Sequence, residues 1–233
     1  MSDAEKWAAK ERIFELYFQY LTKYIKIQPT WSVSEFGVGK WGFAGFYKKH
    51  FQRLLGIDVV DYSKFHPGVE FFLSDGYNTG VKTESMDMVV SHSVLEHVMD
   101  LDAAISEINR ITKPGGVLFL TVSPLYYSAF GAYLNWSGKR LDNWEHLDPS
   151  SEFYLTRNPL PNARTTGHSL NKLTSSMFLA AVGRVPWDIV SYNIRFEDKP
   201  LPEYVDRTVA SELDLLTRGF RFIGRKVKIT ANN

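Results

Sequence analysis

The sequence predicts an α/β fold, a doubly wound and mostly parallel sheet in a single domain. Three observations carry that reading. Strand and helix patterns alternate from Trp31 to Val122, as right-handed crossovers between parallel strands require. The strand segments are near-continuous apolar runs rather than alternating ones, as expected of strands covered on both faces. Glu35, Asp58, Asp75 and His92 each fall at the C-terminal end of such a run, the edge at which open parallel sheets bind their ligands.

Composition narrows the classes. The 233 residues suffice for one substantial domain with room for an insertion. A formal net charge of +1 argues against a broad footprint for nucleic acid. There is no cysteine, which excludes disulfides, thiolate catalysis and cysteine metal sites. The residues from Met1 to Lys10 are polar and charged, unlike a signal peptide. No apolar run approaches the roughly 18 residues of a membrane span. A soluble cytoplasmic protein is therefore expected, with its oligomeric state left open. Aromatic residues reach 15%; most are expected to fill core, and the rest are free to line a pocket for an organic ligand.

The elements follow in order. Between Lys6 and Lys26, the residues Trp7, Phe14, Tyr17, Phe18, Leu21, Tyr24 and Ile25 recur three and four apart, predicting an amphipathic helix or helix pair ended by Pro29. Trp31 to Phe36 reads as strand one and breaks into Gly37, Gly39 and Gly42. A helix from Phe43 to Arg53 is predicted next, with Phe46, Tyr47 and Phe51 on its inner side. Leu54 to Asp61, Val69 to Leu73 and Met86 to Ser91 read as strands two to four. A short helical turn follows, then a helix from Asp100 to Thr112, stopped by Lys113-Pro114-Gly115-Gly116, and strand five over Val117 to Val122.

Beyond Ser123 the periodicity fails as far as Gly167. A segment of that length is more often a functional lid than filler. A helix over Leu170 to Val182, a strand over Trp187 to Phe196, a helix over Glu203 to Thr217 and a strand over Phe220 to Ile229 complete the chain. The expected organisation is one domain over 1–233: a helical cover at 1–30, a cofactor-binding core at 31–123, a substrate lid at 124–168 and the C-terminal part of the core at 169–233.

The glycine stretch carries the first chemistry. A strand that breaks into glycines before a helix lets backbone approach a ligand and aims free N–H groups at it. Gly37-x-Gly39-x-x-Gly42 fits the dinucleotide fingerprint, which keeps an NAD-dependent oxidoreductase open. Glu35 points elsewhere, because a carboxylate at the strand end suits a positively charged group and not a pyrophosphate. Asp58, 19 residues beyond Gly39, is placed to accept hydrogen bonds from both hydroxyls of a ribose. Asp61 competes for that role, and either one can instead cap the next turn.

Taken together, these segments resemble a class I S-adenosylmethionine-dependent methyltransferase of the small-molecule, methyltransferase type 11-like kind. The resemblance rests on Glu35-Phe36-Gly37-Val38-Gly39, Gly56-Ile57-Asp58, Ser74-Asp75, the run from Met86 to Val98 with Ser93-Val94-Leu95-Glu96-His97-Val98, and Lys113-Pro114-Gly115-Gly116. It implies a Rossmann-like seven-stranded sheet with a reversed last strand, and S-adenosyl-L-methionine as the cofactor, released as S-adenosyl-L-homocysteine. It also implies Glu35 near the cofactor's amino acid part, Gly37 and Gly39 giving it room, Asp58 on the ribose, and Asp75 with Gly76 at the adenine amine. Ser91 would lie near the transferable methyl group. The family often has its third glycine where this chain has Trp41, which is expected to pack over cofactor or lid.

The acceptor is less legible. Methylation of a hydroxyl on a small molecule or glycan is the first expectation, N-methylation of an amine the second. A scaffold that binds cofactor without turnover is a third class. A hydroxyl needs a base, and a near-neutral histidine suits it. His146 in the lid and His92 at strand four are the candidates. Tyr126, Arg140, Trp144 and His168 are expected to contact the acceptor. No metal is expected, since no His/Asp pair has ligand spacing.

Overall fold

The computed structural model describes residues 2–131, 135–136, 139–140, 143–151 and 170–228. Its helices are α1 (Asp3–Tyr24), α2 (Ala44–Tyr47), α3 (Leu101–Ile111), α4 (Ser175–Val182) and α5 (Glu212–Leu216). Its strands are β1 (Ser32–Phe36), β2 (Arg53–Asp58), β3 (Glu70–Leu73), β4 (Met86–His92), β5 (Thr112–Val122), β6 (Asn135–Trp136), β7 (Lys139–Arg140), β8 (Trp187–Phe196) and β9 (Thr217–Lys226). Seven strands form one sheet in the order β3-β2-β1-β4-β5-β9-β8, and β6 pairs with β7 as a separate hairpin. β1 to β5 are parallel, and β9 runs antiparallel to both of its neighbours. The C-terminal ends of β1, β2, β4 and β5 therefore share one edge, and the register brings the first half of β9 and the second half of β8 to it.

Each face of the sheet is buried by its own set of helices. On one face α1 and α2 cover Val33, Met88, Val90, Val117 and Phe119. On the other, α3 and α4 cover Leu55, Val89, Leu118, Leu120 and Phe222. α1 starts at a capping box, with Ser2 N–H on the Glu5 carboxylate at 2.6 Å and Glu5 N–H on Ser2 Oγ at 3.3 Å. It then crosses the sheet from the glycine loop, where Trp7 meets Trp41, to β8, where Tyr20 Oη lies 2.8 Å from Ser191 Oγ. That path makes α1 a roof over the ends of β1, β4, β5 and β9. A third apolar cluster, with Tyr126, Trp144, Leu147, Leu170, Val205 and Leu215, gives the segment after β5 a small core of its own.

Three predicted elements are corrected. The helix expected over Phe43 to Arg53 is one turn, Ala44–Tyr47. Gly45 weakens it, and Gln52 N–H bonds to Pro29 carbonyl at 2.9 Å as the chain turns into β2. The helix expected from Leu170 starts at Ser175, capped by Thr174, because the Asn171 side chain instead bonds the carbonyls of Leu95 and Val98. Of the helix expected over Glu203 to Thr217 only Glu212–Leu216 forms. Val205 is drawn into the lid core, and Asp206 N–H bonds to Leu147 carbonyl, so tertiary contacts override the local pattern.

Candidate active site

The glycine loop is built by steric necessity. Gly37 has φ +78°, and a side chain there would place its Cβ 2.3 Å from Val94 Cγ2. Gly39 has φ +57° and faces open space, with no atom within 4 Å of the position a Cβ would take. Asp58 holds the loop from the neighbouring strand: its Oδ2 accepts the Gly39 N–H at 2.8 Å, and its Oδ1 accepts Val60 N–H at 3.1 Å. His66, which sequence reasoning passed over, donates its Nε2–H to Gly39 carbonyl at 2.8 Å. That bond leaves His66 Nδ1 as a buried lone pair without a partner. Asp61 lies beyond β2, exposed, and accepts Ser63 N–H as a turn cap, so Asp58 is the acid at the strand edge.

Glu35 is almost fully buried at the end of β1. Its Oε1 accepts Phe43 N–H at 2.9 Å and fixes the start of α2, while Oε2 is buried without a partner. Burial pushes its pKa up to about 8, opposed by the Phe43 N–H and by the charge of Lys10 on α1. Lys10 is itself lowered by burial, although Glu35 pulls it back. Ser91 on β4 likewise has a buried hydroxyl without a partner. Two residues on, Ser93 adopts φ +57°, uncommon for a residue with a side chain and a mark of a constrained, often functional, segment. Asp75 is exposed and accepts Tyr77 N–H, and Gly76 at φ +86° packs so tightly over Phe36 that a Cβ would lie 2.4 Å from the ring. Trp41 packs edge-on against Trp7 of α1 with centroids 5.1 Å apart.

The two candidate bases sit differently. His92 is buried under α1, with Nε2 2.9 Å from Tyr47 Oη, Nδ1 3.0 Å from Thr121 Oγ1, and its ring stacked on Tyr17 at 5.1 Å. Burial holds its pKa down to about 3. His146 lies in a single helical turn of the lid and donates Nε2–H to Tyr126 carbonyl at 2.7 Å, and burial lowers it to about 4. Its Nδ1 is buried without a partner. Trp144 is fully buried and donates its indole N–H to Leu215 carbonyl at 2.8 Å, so it holds the lid core and offers no surface to an acceptor. Tyr126 packs edge-on against His146, Arg140 lies on β7, and His168 lies outside the described residues. Sequence reasoning also missed Lys10, Tyr17, Arg195 and Arg221. They reach the same edge only through the path of α1 and the pairing of the two last strands.

This strand order, with a reversed β9 beside β5, is the class I methyltransferase fold. Residues 34–120 match the family model described as a methyltransferase domain. Over residues 34–120 the chain is similar to methyltransferase domains, and its fold is the one shared by S-adenosylmethionine-dependent methyltransferases. The YcgJ protein of Bacillus subtilis shares the fold at 14% identity and TM-score 0.59, over 92% of this chain and 99% of that one. A putative S-adenosylmethionine-dependent methyltransferase of Listeria monocytogenes does so at 15% and 0.59, over 91% and 97%. A putative sarcosine dimethylglycine methyltransferase of Galdieria sulphuraria does so at 12% and 0.60, over 93% and 86%. A highly reducing polyketide synthase, cm3B, of Cordyceps militaris is 26% identical over 157 residues, 59% of this chain, and the chain spans 6% of that protein's length. No helix among the described residues is long and apolar enough to cross a membrane.

Proposed function

We propose that the chain methylates an oxygen, most directly a hydroxyl, on a small-molecule or glycan acceptor. The cofactor lies along the ends of β1 to β4, and the acceptor enters from the side of β5, β9 and the lid, in a cytoplasmic setting. One observation carries the reading. Glu35 Oε2 and Ser91 Oγ are buried without partners at the edge where Gly39 has its open side and Asp58 presents a carboxylate. Buried polar groups are normally satisfied, so unsatisfied ones at this edge suit a polar ligand. In this reading Glu35 takes the cofactor's ammonium, Gly37 and Gly39 give it room, Asp58 accepts from the ribose hydroxyls, and Asp75 with Gly76 faces the adenine amine. S-adenosylmethionine, when bound, supplies a methyl group already activated on a sulfonium.

What remains for the chain is to hold the acceptor oxygen in line and to take its proton. Of the two candidates, His146 is the one with an uncommitted ring nitrogen, Nδ1, and burial keeps it neutral but a weaker base than a near-neutral histidine. His92 has both nitrogens engaged and serves as a positioning residue for Tyr47, Thr121 and Tyr17. Tyr126, Arg140 and His168 belong to the acceptor side of the reading, and Trp144 supports them from the lid core. The test is transfer of labelled methyl from S-adenosylmethionine to a panel of hydroxyl-bearing metabolites and sugars, each with its matched amine. On the acceptor found, His146→Ala should lower turnover by roughly a hundredfold while S-adenosylhomocysteine affinity stays within about twofold of wild type. Unchanged turnover in both His146→Ala and His92→Gln would remove the histidine base and favour an amine or another ready nucleophile.

A further inference from the structure

The acceptor side of the edge holds a pair of arginines that form no ion pair with a described carboxylate. The register puts His92 of β4, Thr121 of β5, Arg221 of β9 and Asn193 of β8 side by side, so their side chains share the face under α1. Arg195 follows two residues further along β8 on that same face, opposite Gly219, where the close approach of the Val122 carbonyl and Ser123 leaves no room for a side chain. Neither guanidinium forms an ion pair with a described carboxylate, and the Nε of each is buried without a hydrogen-bond partner. The chain treats other arginines differently. Arg53 pairs with Glu70, Arg110 with Glu107, and Arg184 with Asp102.

The surroundings of the pair favour an anion. Arg221 lies over the rings of Tyr17 at 5.4 Å and Tyr20 at 5.2 Å, which hold its plane from one side and leave its donors uncommitted. Burial lowers the pKa of Arg195, and the like charges of Arg221 and Arg218 lower it further, with Tyr17 and Glu197 opposing. Glu197 is turned to the lid, accepting Ala129 N–H at 3.1 Å. Like charges packed together and half withdrawn from water are costly unless an opposite charge joins them, and a planar guanidinium recognises a carboxylate or phosphate through paired N–H donors. The β4 and β9 backbones are two strands apart, roughly 10 Å, which is the span of a small organic molecule reaching from the end of β4 to the arginines.

We propose that Arg195 and Arg221 form an anion subsite for the methyl acceptor, so that the molecule methylated by this chain carries a carboxylate or phosphate group beside the oxygen that receives the methyl. The proposal rests on the acceptor entering at the β5 and β9 edge, as argued above. The chain loaded with S-adenosylhomocysteine is titrated with benzoate and with inorganic phosphate by calorimetry, in wild type, in R195Q/R221Q and in the charge-retaining R195K/R221K. The expected result is saturable binding of at least one anion to wild type, weakened tenfold or more in the Gln pair and less in the Lys pair, with S-adenosylhomocysteine affinity unchanged throughout. Preference for benzoate assigns a carboxylate acceptor, and preference for phosphate a phosphorylated one. Absence of anion binding to a wild-type chain that binds S-adenosylhomocysteine overturns the proposal, as does binding that both double variants retain in full. A wild-type chain that fails to take S-adenosylhomocysteine refutes the cofactor site instead, and so separates the two failures.

Discussion

The edge where β1 and β2 end and the edge where β5, β8 and β9 end hold their polar groups in opposite ways. At the first, carboxylates are already tied to backbone: Asp58 to Gly39 and Val60, Glu35 to Phe43. Only single atoms, such as Glu35 Oε2, are left over. At the second, Arg195 and Arg221 share the face under α1, with Arg221 over the rings of Tyr17 and Tyr20, and neither forms an ion pair with a described carboxylate. The difference follows from what each edge is asked to bind. In the proposed reading, a fixed cofactor with a cationic end is met by a loop and two acids close in sequence, preorganised by their own hydrogen bonds. In the same reading, the acceptor is met by side chains from α1, β8, β9 and the lid, which converge only in the folded sheet.

The sharpest way to break the first edge is through its glycines. Gly37→Ala forces a Cβ against Val94 in a left-handed backbone, and should cost about 3 kcal/mol or more of stability, the sum of strain and overpacking. Chemical denaturation checks it, and a loss under about 1 kcal/mol would mean the loop relaxes freely. Gly39→Ala has no such neighbour, so its stability loss should stay near the roughly 1–2 kcal/mol of left-handed strain. Its larger effect should fall on S-adenosylhomocysteine binding, because the open side is where the ligand backbone is expected. A pair of melting and binding curves distinguishes the two glycines.

Glu35 offers a smaller and pH-dependent effect. Burial pushes its carboxyl up to about 8, well above the ordinary 4.5. A cation beside Oε2 requires the ionised form, so binding of S-adenosylmethionine must drive off a proton below that value. Affinity should therefore rise with pH from about 6 towards 7.5, by at most about tenfold per unit. Lys10 and Asp58, the charged neighbours of Glu35, act in opposite directions and temper that slope. In Glu35→Gln the slope should vanish. An equally steep rise in the variant would assign the proton to another group.

The same comparison explains how much of the molecule was legible beforehand. Strands β1 to β5 and α3 stand out because their apolar runs and caps are local, and Asp58 could be singled out at 19 residues from Gly39. The short α2 and the loop preceding α5 were misread, since Gly45 and the lid core act against a periodicity that does exist in the sequence. Trp144 looked like a pocket wall because aromatic residues in an irregular segment say nothing about which way they face; its indole N–H on Leu215 spans 71 residues. Arg195 and Arg221 were invisible for the same reason. Their neighbourhood depends on β9 running backwards between β5 and β8, a pairing no local pattern encodes.

The division of the edge can be tested most directly by titrating S-adenosylhomocysteine into wild type, Asp58→Ala and R195Q/R221Q by calorimetry. Asp58→Ala should lose roughly 1.5–3 kcal/mol of binding free energy, the scale of a charge-assisted hydrogen bond, while R195Q/R221Q should match wild type. Equal losses in both variants, or full affinity in Asp58→Ala, would contradict the assignment of cofactor to β1 and β2 and acceptor to β8 and β9.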